Sequence, residues 1–137
     1  MNEVNMGTSK IAMLSGVYLI LGMYTVSFTA ADRNNSSISE SVANSVQAEQ
    51  IARTGISLAM TKMGGTYSSS TREYTNQTAS VMNGSVVYSA SGTDLPSSQS
   101  QVTSVGTFSG KTITIKAVFS YERNRWRIIR MYIPPTV

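Results

Sequence analysis

The chain has 137 residues, with 11 basic and 7 acidic side chains, a net charge of +4, and neither His nor Cys. That length suits one ordinary domain, and the missing residue types remove the commonest general base, the strongest nucleophile, the soft metal ligands and any disulfide framework. Charged residues make up only 13% while Ser and Thr fill 37 positions, so the surface is polar without being charged, and four excess positive charges are a weak pull toward nucleic acid.

Residues 11–31, IAMLSGVYLILGMYTVSFTAA, contain no charge. As a helix this stretch is about 31 Å long, enough to cross a hydrocarbon core of about 30 Å. Lys10 precedes it and Asp32 and Arg33 close it, which favours a cytoplasmic start and an external remainder. Three fates fit such a segment: a cleaved signal ending near Thr29-Ala30-Ala31, a permanent single-pass anchor, or a segment stored in the bilayer that later packs against copies of itself. In the last case the packing side chains are Ile11, Met13, Leu14, Val17, Tyr18, Leu19, Ile20, Leu21, Met23, Val26 and Phe28.

Polar residues 32–37 form a weak point, since Asn34-Asn35-Ser36-Ser37 are poor helix formers. Beyond them Ile38, Val42 and Val46 recur every four residues, and Ala48, Ala52, Ile56, Ala59 or Met60, and Met63 extend an apolar stripe at three- and four-residue steps. No proline occurs before Pro96, and Gly64-Gly65 with Lys62 in the last turn supplies a stop. The spacing predicts one helix of about 50 residues, continuous or interrupted, apolar all round in its first half and amphipathic over 38–63.

After residue 64 the period changes to two. A loop is expected over 64–84, with room for an additional edge strand within 67–77, followed by a sheet over 85–133. Its strands are read at 85–91, 101–108, 111–121 and 125–133, all rich in Val, Ile, Thr and aromatics. Asn83-Gly84 is a type I′ hairpin signal, Ser109-Gly110 a tight turn, and residues 122–124 a short loop. Ile113, Ile115, Ala117 and Phe119 share one strand face. Their expected partner is the helical stripe of Ile38, Val42, Val46, Ala52, Ile56 and Met60. The fold class is thus α+β, a long helix packed on a small antiparallel sheet, with organisational boundaries at 1–37 and 38–137.

This architecture resembles that of type IV pilins and the related pseudopilins. The segment ANSVQAEQIARTGISLAM (residues 43–60) is similar to the alanine-rich helix that follows the hydrophobic segment in minor-pilin-like proteins, and SVGTFSGKTITIKAVF (residues 104–119) to their strand, Gly-turn, basic residue, strand pattern. The sequence departs from the family at its start: Gly7 would end a leader, but Thr8 would follow it, and the fifth mature position would be Ala12 where the family carries Glu. The resemblance implies a structural subunit of an extracellular pilus-like filament. Copies would bundle their helices in the filament core after a membrane-inserted stage, with an assembly platform and ATPase supplied by other proteins. A low-copy pseudopilin of a secretion or DNA-uptake machine has the same architecture.

One basic-aromatic cluster stands out, Arg123, Arg125, Arg127 and Arg130 with Trp126 and Tyr132. It reads as the solvated, charge-protected face of an edge strand, or as a surface for an anionic ligand with Trp126 stacking. The second reading gives the alternative function, a monomeric membrane-anchored surface domain. No carboxylates are spaced as an acid-base pair or a metal loop, and Gly64-Gly65 lacks the Lys-Ser/Thr of a phosphate loop. Neither enzyme activity nor a cofactor is expected, and nucleic acid is not an expected partner.

Overall fold

In a computed structural model, residues 3–64 and 67–135 are described. The elements in chain order are α1 (Glu3–Met63), α2 (Ser69–Arg72), β1 (Tyr74–Val81), β2 (Gly84–Ser91), β3 (Gln99–Phe108), β4 (Lys111–Glu122) and β5 (Arg125–Tyr132). The strands form one sheet in the order β1-β2-β3-β4-β5, every neighbouring pair antiparallel. The fold is α+β, and the chain divides into two compact units, Met1–Ser41 and Val42–Val137.

Helix α1 is longer than expected, 61 residues, and runs unbroken through 32–37. There the Ser37 hydroxyl donates to the Asn34 carbonyl at 2.9 Å, so a side chain that usually competes with the helical backbone is satisfied on its own helix. Gly64 ends the helix with φ of +60° and donates its N–H to the Met60 carbonyl, a left-handed cap. Gly65, the other half of the expected stop, lies outside the described residues.

The second unit is built on a contact between small residues. Ala48, Ile51, Ala52, Ile56, Ala59 and Met63 of α1 are buried together with Val86, Ala90, Val102, Ile115, Ala117, Phe119 and Trp126 of the sheet. Ile113 is partly buried against the same cluster. At Gly106 a β-carbon would fall 2.3 Å from the Ala48 carbonyl oxygen and 2.5 Å from the Ala52 nitrogen. Helix backbone therefore lies directly on strand backbone, and only glycine fits between them. The buried Ser104 hydroxyl donates to the Ala52 carbonyl at 2.8 Å across the same seam.

That geometry corrects the expected helical stripe. Ile38, Val42 and Val46 are 60%, 57% and 51% exposed, and Met60 is 40% exposed. Ala48 already meets Gly106, only two residues from the end of β3 at Phe108. Val42 and Val46 lie N-terminal to that contact, where β3 has no further length to cover them. The face that meets the sheet interleaves small residues at Ala48, Ala52, Gly55 and Ala59, which let the backbones approach, with the large buried side chains Ile51, Ile56 and Met63.

The expected loop over 64–84 is also corrected, because it contains α2 and all of β1. The β1 sequence YTNQTASV is mostly polar, and its burial alternates only weakly. As an edge strand paired with β2 alone, it needs few apolar residues. The β1–β2 turn is displaced by one residue from the expected Asn83-Gly84: Val81 pairs with Gly84, and the left-handed residues are Met82 (φ 50°) and Asn83 (φ 61°). Gly84 is instead required by proximity, since a β-carbon there would fall 2.4 Å from the Thr107 carbonyl oxygen and 2.5 Å from Ile51 Cδ1.

The connection between β2 and β3 is held by one guanidinium. Arg72 Nε donates to the Gln99 carbonyl at 2.9 Å, and one terminal nitrogen reaches the carbonyls of Gly92 (2.9 Å), Leu95 (3.2 Å) and Pro96 (3.2 Å). The Ser100 hydroxyl donates back to the Arg72 carbonyl at 2.6 Å. Tyr67 adds a hydrogen bond from its hydroxyl to the Ser97 carbonyl.

Candidate functional site

Two surfaces carry chemistry that the fold itself does not use. The first lies on the unit up to Ser41. Ile11, Met13, Leu14, Val17, Tyr18, Leu19, Ile20, Leu21, Met23, Val26 and Phe28 are all between 51% and 76% exposed. Contiguous apolar surface on this scale marks an interaction or membrane surface. By length and composition this helix can cross a membrane, and its most apolar stretch has no cover within the chain.

Hydroxyls along α1 are satisfied by the helix's own carbonyls, in this stretch as well as at Thr54 and Thr61. Thr25 donates its hydroxyl to the Leu21 carbonyl and Thr29 donates to the Thr25 carbonyl, both at 2.9 Å. Each hydroxyl is thereby satisfied without solvent, as apolar surroundings demand. Tyr24 and Phe28 pack their rings 5.7 Å apart, one turn from each other. At Gly16 and Gly22 an added β-carbon would meet nothing within 4 Å, leaving two notches on the helix surface where a second helix can approach closely.

The second surface is the outer side of β5, an edge strand. Ser104 and Gly106 of β3 face α1, so Gln101 and Thr103 face away from it, and the register carries this outer face across to Lys116 and Val118 of β4. On β5 it continues through Arg125 (opposite Glu122), Arg127 (opposite Ser120), Arg130 (opposite Val118) and Tyr132 (opposite Lys116). Strict alternation would send Arg130 to the other face from Arg125 and Arg127. A register shift between Val118 and Phe119 leaves Ile129 as an extra residue and turns Arg130 to the same side as the other two, a β-bulge in the sense of one residue added to one strand.

Of the four arginines read from the sequence, three therefore share a face, while Arg123 sits in the β4–β5 turn with φ of 49°. The signal that sequence reasoning missed is the doublet Ile128-Ile129, where the period of two fails. Arg130 stacks over the Tyr132 ring at 5.1 Å, and Gln101 donates to the Tyr132 hydroxyl at 2.9 Å, so that Val118 beneath them is only 5% exposed. The expected stacking role of Trp126 is corrected. It faces the core at 2% exposure, its ring 5.3 Å from Tyr121 and 6.0 Å from Tyr67.

One titratable group is clearly perturbed. Burial, with a smaller contribution from the Tyr88 phenol, pushes the Tyr74 phenol well above its ordinary range. Its hydroxyl is buried without a hydrogen-bond partner, and Lys62 Nζ lies 5.3 Å over its ring. Among the described residues no three carboxylates gather where a metal ion could be held. No family model, curated protein or solved structure matches this chain.

Proposed function

We propose that this chain is the structural subunit of an extracellular pilus-like filament. The observation that carries the reading is the uncovered apolar helix surface between Ile11 and Phe28, on the same helix whose later residues anchor the sheet. An apolar helix drawn from a bilayer must find another water-excluded place, and a bundle of identical helices provides one. Burial at about 25 cal/mol per Å² over roughly 2,000 Å² of helix surface amounts to tens of kcal/mol gross, more than contacts between small sheet domains supply. The partners are copies of the chain itself, the membrane before assembly, and a membrane platform with an ATPase. Gly16 and Gly22 permit close approach of a second helix at this surface.

Electron microscopy of sheared extracellular material tests it. The wild-type chain should form filaments that contain residues 11–31, and Leu19→Asp should abolish them by placing a charge in the bundle. Gly22→Leu, which keeps the segment apolar and able to insert in the membrane, should also thin or abolish filaments by filling the notch. Filaments of ordinary abundance from both variants would refute the helix-bundle reading.

A further inference from the structure

We propose that the outer sheet face along β5 is a docking surface for an acidic polysaccharide that carries carboxylates. Arg130 and Tyr132 cover Val118 on this face, and Arg125 and Arg127 extend the positive charge beyond that cover. The bulge at Ile129 brings Arg130 round to Arg125 and Arg127, with Lys116 on the adjacent strand. Among the described residues no carboxylate forms an ion pair with any of these four; Glu122, opposite Arg125, accepts the Ser120 hydroxyl at 3.4 Å. Alternate strand residues stand about 7 Å apart, so the guanidinium groups form a row, and each matches a carboxylate in bidentate fashion.

Chemistry beside that row selects the kind of polyanion. Both aromatic rings that could stack on bases are taken, Trp126 by the core and Tyr132 by Arg130, which disfavours single-stranded nucleic acid. Beyond the Arg130 end of the row the same face offers neutral hydrogen-bonding groups, with Thr103 opposite Lys116, level with Tyr132, and Thr114 two residues further along β4. A duplex presents convex phosphates and would leave those hydroxyls unused. An extended glycan that follows the row along β5 and continues obliquely past Tyr132 onto β4 and β3 meets the charges first and then the hydroxyls.

The test measures binding of the full chain, in detergent, to immobilised polygalacturonate, with duplex DNA of matched charge as the competitor. The triple variant Arg125→Gln, Arg127→Gln, Arg130→Gln should weaken binding by about tenfold or more, and Glu122→Gln, which removes the acid opposite the row, should tighten it. Thr103→Val with Thr114→Val keeps charge and strand propensity, and should weaken binding several-fold. The proposal is overturned if the triple variant and Glu122→Gln both bind as the wild type does, if the threonine pair changes nothing, or if DNA competes as well as free polygalacturonate. The fluorescence-monitored unfolding midpoint of Trp126 verifies that each variant is folded.

Discussion

Replacing Arg72 by alanine removes the donor that ties the Gly92 end of the β2–β3 connection to its Gln99 end. Two of its four bonds are at 2.9 Å and the two at 3.2 Å share the same nitrogen, so about two full bonds are at stake. Hydrogen bonds to a charged group contribute about 1.5–3 kcal/mol each, but water entering the space left by the side chain takes over part of that bonding, which leaves an expected loss of about 2–3 kcal/mol. Arg72→Lys should lose about half of that, because one ammonium cannot reach both ends of the connection as a planar fork does. The acceptors are carbonyls and not carboxylates, so the loss should be nearly the same in 1 M salt as in 0.1 M. Urea unfolding of the full chain in detergent, followed by the fluorescence of Trp126, the chain's single tryptophan, measures the energy, and limited proteolysis reads opening of residues 92–99. A change under about 0.5 kcal/mol with the connection still resistant would refute the reasoning.

Gly106→Ala places a methyl group into helix backbone at under 2.6 Å and should destabilise the second unit by about 2–4 kcal/mol, read in the same unfolding assay. Met82→Asn, at a left-handed turn position where Met is disfavoured, should stabilise it by about 0.5–1 kcal/mol. The raised Tyr74 phenol binds its proton more tightly when folded than when unfolded. Stability should therefore be complete below the ordinary phenol pKa of about 10 and fall as the pH rises beyond it. Tyr74→Phe should remove that share of the alkaline loss, and because it deletes an unpartnered buried hydroxyl, it should cost nothing at neutral pH.

What the sequence made legible is where one period governs. Strands β2 to β5 fall within two residues of their expected ends, because their apolar and polar residues alternate and their turns carry Asn or Gly. Strand β1 is legible only as room for an edge strand within 67–77, and its run to Val81 is not, because an edge strand with one neighbour needs little apolar content and TNQT has the composition of a loop. The helical stripe is legible from Ala48 through Ile56 to Met63 but extends too far toward the N-terminus, because periodicity carries it on through Ile38, Val42 and Val46, whereas the backbone contact at Gly106 begins only at Ala48. Convergence of the three arginines is set by a bulge, and a bulge is a property of strand pairing that no single strand announces beyond the doublet at Ile128-Ile129.

The Arg72 clamp does with a permanent charge what small exported domains commonly do with a covalent sulfur bridge. The clamp contains no sulfur and is indifferent to electron donors and acceptors. The β2–β3 connection can therefore close as soon as the chain folds, on either side of a membrane, with no oxidase to form the link and no reductant able to undo it.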